Sequence, residues 1–394
     1  MARIRIAIIG GRLQGIEAAY LCSKAGYETI LFDSEANPPA KDLADDFRQI
    51  DIVRRPDKAK RLLRECDAVL PANENMRTLA ALQEFCSRIN LPFMQDNGAF
   101  AITSDKLKST KLLGKIGVPT PEAWPESGFP VIVKPATSSG SQSVYRANDK
   151  HQLKKALSMV RAVDENPVVQ EFINGQALSL EVISRNGTGQ PLQITGLEFD
   201  ERYGCKRVYA PVKVACEIKN RMNMIGMKTA QALTLNGLTD VQVLLKNSIP
   251  KVNEINARLP SQTPSVVYHS SKINIVELLA KLFIEDTLLQ VEVHHHERAV
   301  VYEHVRVVGR ELRVQGEHVM ADASGLRVEE GFFGADEAIT NLKKGSEARN
   351  RVATLIVKSN YLSKAMRRMS EVTRNIMTEY RLRRYADPSP TRRC

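Results

Sequence analysis

An apolar run from Ile4 to Ile9 breaks at a turn, Gly10 to Gly15, and passes into a stretch of helical character, Ile16 to Ala25. Gly26 stops that helix, and Glu28 to Phe32 reads as a second strand ending at Asp33. A strand, a covering helix and a second strand in this order make a βαβ unit, whose strands lie parallel. The rhythm continues with a strand at Ala68 to Pro71, a helix from about Asn75 to Ile89 and a short strand at Pro92 and Phe93. A chain that opens this way is committed to a doubly wound α/β layer, here over residues 1–98.

From Ser104 the pattern changes. A helix over about Asp105 to Lys115 ends at Gly117, and a Pro-rich segment leads to the strand Val131-Ile132-Val133-Lys134-Pro135. A Ser/Gly loop, a helix from Lys150 to Val163 and a strand from Val168 to Phe172 follow. Strands are expected at Leu178 to Ser184, Leu192 to Phe199 and Lys206 to Val214, then a helix from Lys219 to Leu235. Thr239 to Leu245 and Pro250 to Ile255 read as a hairpin closed at Asn247-Ser248. Residues 99–288 therefore form a second α/β domain, 289–347 a small β-rich one, and 348–394 a basic tail, helical over about 348–382.

Charge narrows the function classes. The net charge of +11 is concentrated, because residues 343–394 hold 14 Lys or Arg against 4 Asp or Glu. A near-neutral enzyme with a basic tail fits this better than a uniformly basic nucleic-acid binder, and any nucleic-acid contact is expected through the tail alone. No apolar run approaches a membrane span. The six cysteines show no metal-type spacing and read as the reduced thiols of a cytoplasmic protein. The run His294, His295 and His296 would need partners from elsewhere in the fold to hold a metal.

The first glycine turn is ambiguous. Its glycines fall at 10, 11 and 15, with Leu13 and Gln14 between them, which is not the dinucleotide fingerprint G-x-G-x-x-G. The turn still offers backbone N–H groups and a helix N-terminus to an anion. Asp33 ends the second strand, where it could meet the ribose of a second nucleotide.

Three later elements converge on one chemistry. Lys106 opens a helix and Lys134 closes an apolar strand, where its ammonium needs a partner; a triphosphate is a natural one. The loop Thr137-Ser138-Ser139-Gly140-Ser141 can wrap phosphates with backbone donors. In Val168 to Gly175, Glu171, Phe172 and Ile173 can supply backbone groups and a packing face to an adenine, and Glu181 sits in an otherwise apolar strand. On the hairpin, Asp240 shares a face with Gln242, and Glu254 shares one with Asn256 and Arg258. Hard oxygen ligands beside an arginine suit a Mg-nucleotide.

Taken in order, these motifs resemble the ATP-grasp superfamily of carbamoyl-phosphate synthetase, biotin carboxylase and D-alanine ligase. The match rests on Lys106, Lys134 with loop 137–141, Glu171 to Ile173, and Glu254-Ile255-Asn256-Ala257-Arg258, and covers roughly residues 1–290. It implies a Rossmann-like pre-ATP-grasp domain, an ATP-grasp fold and a small C-terminal β-rich domain. It implies ATP and Mg²⁺, with Lys106, Lys134, Ser138, Ser139, Gly140, Ser141, Glu171, Phe172, Ile173 and Glu181 around the nucleotide. Glu254 and Asn256 would hold the metal together with either Gln242 or Asp240. The ribose-binding acid of many relatives falls on Ala177 here, which leaves Glu181 as a candidate for part of that role.

A narrower resemblance, over about residues 1–360, is to the 3-methylornithine–L-lysine ligases of pyrrolysine biosynthesis. It is carried by 10–21, Leu70 to Asn75, Tyr302-Glu303-His304, Gly316-Glu317-His318 and Phe333 to Glu337. It implies an acyl phosphate of 3-methyl-D-ornithine, or of D-ornithine, attacked by the ε-amine of L-lysine. Lys106 and Lys134 would grip the α/β-phosphates, Arg258 would stabilise the acyl phosphate and the tetrahedral intermediate, and Asp240 would accept the amine's proton. Lysine would lie near Arg12, Leu13, Asn73 and Glu74, and the ornithine between Ser179, Glu181, Asp240, Arg258, Ser261 and Thr263. The resemblance leaves room for a homodimer. The alternatives are an ATP-grasp ligase or carboxylase with another acceptor, a nicotinamide oxidoreductase resting on the glycine turn alone, and a nucleic-acid-associated protein resting on the tail.

Overall fold

The computed structural model describes residues 3–288, 290–291, 298–343 and 351–390, so the His294 to His296 run lies outside the described residues. The opening strands form a four-stranded sheet in the order Asp46–Gln49, Glu28–Asp33, Arg5–Ile9 and Ala68–Pro71, with every pair parallel. The glycine spacing follows from close packing. Gly10 has φ +108°, and a Cβ there would lie 2.5 Å from the Ala72 carbonyl oxygen. At Gly15 a Cβ would lie 2.2 Å from the Gly10 carbonyl oxygen, so helix Leu13–Lys24 can leave the turn only from a residue without one.

Two sheets follow, antiparallel but for one pair at the margin of the larger. The smaller runs Tyr145–Ala147, Val131–Pro135, Pro167–Glu171, with helix Lys150–Arg161 packed on it. The larger has 11 strands among the described residues and begins Ile249–Asn256, Gly237–Lys246, Ala177–Arg185, Thr188–Phe199, Cys205–Ala210. It continues without a break into Ala299–Val308, Arg351–Ser359, Glu337–Thr340 and Arg327–Glu330. Ala177–Arg185 is buried along both faces, its apolar residues and its polar Ser179, Glu181 and Ser184 alike.

The basic C-terminal stretch departs from the expected helix over 348–382. Arg351–Ser359 is a strand hydrogen-bonded on both sides, and only Leu362–Glu379 is helical. The physical reason lies in Val352 to Val357, an apolar, β-branched run buried within the sheet. Two further boundaries move: the long helix spans Cys216–Ala232, and the strand expected to reach Val214 ends at Ala210, before Pro211. One hydrophobic cluster joins the first helix (Tyr20, Leu21) to helices Thr263–Ser271 and Ile275–Ile284 and to Val300 and Tyr302. That shared core fixes the glycine turn relative to the large sheet. No helix among the described residues is long and apolar enough to cross a membrane, and Cys22, Cys66, Cys86, Cys205 and Cys216 are free thiols.

Candidate active site

The hairpin register builds the centre of the site. Asp240 pairs with Asn256 on one side and Glu181 on the other, while Gln242 pairs with Glu254 and Ser179. Six side chains singled out from the sequence thus stand as two adjacent cross-strand rows on three strands. Asp240 and Glu181 are fully buried. Burial pushes the Asp240 carboxyl up to about 6, against the pull of Arg258 and a hydrogen bond from Gln242 Nε2 at 2.9 Å. Burial pushes Glu181 higher, to about 8, and the neighbouring Asp240 charge adds to the rise against the hydrogen bonds to its carboxylate. Among the described residues, Asp240 Oδ1 and Glu181 Oε2 have no hydrogen-bond partner.

The two sheets face each other across a cavity of about 750 Å³ lined by Lys106, Lys134, Glu171, Phe172, Ile173, Leu244, Gln242 and Glu254. Lys134 Nζ bonds Asn253, to Oδ1 at 3.0 Å and to the carbonyl at 3.4 Å, and burial lowers its pKa to about 8. An ammonium held by a neutral amide inside a cavity is a site for an anion. Lys106 Nζ lies 3.4 Å from Glu254 Oε1 and donates to the Ser138 carbonyl, tying the small-residue loop to the hairpin. Asp105 caps the helix that presents Lys106, accepting from the N–H groups of Leu107 and Lys108. In the loop, Gly140 has φ +62° and packs against the His318 ring. Ser138 and Ser141 line the cavity, and Ser139 hydrogen-bonds Glu74.

The segment after Glu171 crosses the end of the hairpin closely: a Cβ on Gly175 would lie 1.8 Å from the Leu245 carbonyl oxygen. The Glu171 carboxylate is held by Lys246, Lys251 and the Glu122 N–H. Against the cost of burial, these contacts lower its pKa to about 2. The Glu171 carboxylate is therefore taken up by the protein itself, and Phe172 and Ile173 line the cavity beside it. Arg146 stacks 4.1 Å from the centroid of Phe172.

A smaller cavity of about 80 Å³ adjoins the first through Ser141, Gln242 and Glu254 and is lined by Asp240, Asn256, Arg258, Ser261 and Thr263. Arg258 Nε donates to Glu74 at 2.9 Å, and Gln14 Nε2 donates to the same carboxylate oxygen at 2.9 Å. Burial would raise the Glu74 carboxyl, but Arg258 overcomes it and holds it below the ordinary value. The glycine turn thus reaches the site through Gln14, the residue that spoils the dinucleotide spacing.

Other candidates are placed differently. Asp33 accepts from the N–H groups of Gly11 and Glu35, bracing the turn, and lines neither cavity. Asn73 bonds the Ile9 carbonyl and the Asn75 N–H, Arg12 pairs with Glu35 at 2.7 Å, and Leu13 starts its helix. Ser261 Oγ donates to Glu317. Sequence reasoning missed Asn253, Gln14, Gln262 and Glu317 as parts of the site. Asn253 sat within the hairpin, and Gln14 and Glu317 within segments 10–21 and 316–318 that carried the narrower resemblance; only Gln262 lay outside every motif.

The donor set suits a magnesium ion. Among the described residues no three or more His, Cys, Asp or Glu side chains converge. Two carboxylates with two amide oxygens, one carboxylate oxygen being buried and unpartnered, are a donor set of the kind Mg²⁺ takes when phosphates complete its shell.

Comparison with known proteins agrees with this geometry. Residues 103–262 match the ATP-grasp domain model. The 3-methyl-D-ornithine–L-lysine ligase of Methanosarcina barkeri is 34% identical over 303 residues, 76% of this chain and 79% of that one. The Methanosarcina mazei enzyme is 32% identical over 80% of this chain and 82% of its own. Among solved structures, the biotin carboxylase domain of Hydrogenobacter thermophilus 2-oxoglutarate carboxylase superposes with TM-score 0.73 at 14% identity, covering 95% of this chain and 90% of that one. The L-amino acid ligase of Bacillus licheniformis gives 0.69 at 18% identity, over 95% and 98%. The fold shared with the structures and the sequence shared with the ligases lead to one statement: this chain belongs to the 3-methyl-D-ornithine–L-lysine ligase family of ATP-grasp enzymes.

Proposed function

We propose that the protein joins (3R)-3-methyl-D-ornithine to the ε-amine of L-lysine at the expense of ATP, through an acyl phosphate, as a step of pyrrolysine biosynthesis. The observation that carries this reading is the continuity of the two cavities, one with buried lysines for phosphates and one with Arg258 and buried carboxylates for a small zwitterion. The relatives' names supply the substrates.

In this reading Lys106 and Lys134 grip the phosphates and loop 138–141 closes over them. Glu254 and Asn256, with Asp240 or Gln242, hold Mg²⁺, which neutralises phosphate charge when bound. Arg258, kept charged by Glu74, Asp240 and Glu254 despite its burial, faces the acyl phosphate and the oxyanion formed on attack. The lysine ammonium must lose a proton before its nitrogen can attack, and Asp240 accepts it. Gln14 and Glu74 lie where that amine would enter from the glycine turn. Free thiols fit work in the reducing cytoplasm.

The test is to incubate the protein with ATP, Mg²⁺, L-lysine and either D-ornithine or its 3-methyl form, following phosphate release and the condensed dipeptide by mass spectrometry. Dipeptide with ADP, lost in Arg258→Ala and Glu254→Ala, supports the reading. ATP hydrolysis without dipeptide rejects the substrate pair and favours another acceptor on the same fold.

A further inference from the structure

The strand Arg384–Ala386 pairs in parallel with Glu311–Val314 at the margin of the large sheet. The chain then runs to the rim of the larger cavity, where Ser389 and Pro390 form part of the lining. Charge holds it there. Lys206, only 1% exposed, donates to Asp387 Oδ1 at 2.5 Å, the Pro388 carbonyl at 2.6 Å and Ser389 Oγ at 3.1 Å. Arg207 bonds the other Asp387 oxygen at 2.8 Å while also pairing with Glu198 and Glu303. A buried ammonium is strongly disfavoured without such partners, so Lys206 and the segment depend on each other. The cavity keeps about 750 Å³ with the segment in place, room enough for a nucleotide-sized ligand. The segment is therefore a wall and not a plug.

We propose that residues 387–390 are a working part of the nucleotide site, with Asp387 as the positioning residue that sets Ser389 and Pro390 against the bound nucleotide. Ser389 Oγ accepts from Lys206 and keeps its own O–H to donate to a nucleotide oxygen. Pro390 adds apolar surface at the rim. The basic C-terminal region, expected from composition to be an appendage, thereby returns to the centre of the enzyme. This inference rests on the larger cavity being the ATP site.

ADP binding by calorimetry and steady-state kinetics test it in the full chain, in Asp387→Ala and in a chain ending at Pro388. The last keeps the Asp387 and Pro388 contacts to Lys206, so it remains informative if Asp387→Ala fails to fold. Losing one hydrogen bond and its adjoining surface should weaken ADP binding about 3- to 10-fold in both. KM for ATP should rise by the same factor, KM for lysine should stay, and Asp387→Glu should restore part of the loss. ADP binding as tight as in the full chain, or tighter, would overturn the proposal. A full chain that binds no ADP would overturn the nucleotide reading of the cavity as well.

Discussion

Replacing Lys134 by methionine should make the nucleotide-free protein more stable while destroying its activity. The side chain is buried, and its ammonium rests on Asn253 with no carboxylate of the described residues in direct contact. A fall in pKa from the ordinary 10.5 to about 8 corresponds to a penalty of about 3 kcal/mol on the charged form. Methionine keeps most of the stem's volume and forfeits about 1 kcal/mol of hydrogen bonding. Asn253 Oδ1 still accepts from Gln170 at 2.9 Å, so it is not orphaned. The net gain at pH 7 is about 2 kcal/mol. The penalty is fully present below pH 8, where folded and unfolded chains both carry the proton. It fades as the folded chain alone deprotonates and is gone above about pH 10.5. Urea unfolding of Lys134→Met and its parent at pH 7 and pH 10 reads the difference directly. The variant's advantage should shrink or reverse at pH 10, and ADP should stabilise the parent but not the variant. Turnover should fall about 10²- to 10³-fold. A variant less stable than the parent at pH 7, or a gap independent of pH, would refute the reasoning that Lys134 is a charge held in wait for phosphate.

Arg258→Ala removes the cation that faces Glu74, Asp240 and Glu254, and dipeptide formation should drop by about 10² to 10³; an unchanged rate in a folded sample would remove Arg258 from the chemistry. In Glu254→Gln the Mg²⁺ concentration giving half-maximal activity should rise about tenfold or more, and a Mg²⁺ titration coinciding with the parent's would take Glu254 out of the metal set. Gly175→Ala forces a Cβ into the Leu245 carbonyl, which should cost about 1–3 kcal/mol of stability and displace the segment 172–175; an unaltered melting temperature and ADP affinity would show that the crossing can relax.

Local chemistry made the hairpin and three of the four strands of the first sheet legible, whereas Asp46–Gln49 was not expected and Phe93 makes only an isolated bridge to Val69. Strand and helix periods, the Asn247-Ser248 turn and the lysine at a strand end are encoded within short windows, so they can be read before any tertiary contact exists. Period-two alternation also placed Asp240 with Gln242 and Glu254 with Asn256 on common faces, which the hairpin register realises. The same local logic failed at 351–359, where a basic surrounding masked a strand whose apolar residues count only once two neighbours flank it. It also could not tell that Asp33 braces a turn while Gln14 reaches Glu74, because both outcomes depend on what lies opposite in space.

By itself, then, the sequence determined most of the elements and their order, the strand at 351–359 excepted, and pointed to residues of the type that suits phosphate and metal, since these follow from side-chain chemistry and repeat spacing. Tertiary structure alone decided which of those groups meet. Burial between two sheets turns Lys134 into a strained cation, raises Asp240 and Glu181 towards neutrality, and brings Asp387, 181 residues from Lys206, back to the rim of the site. Desolvation and long-range pairing are properties of the packed chain and of no window within it.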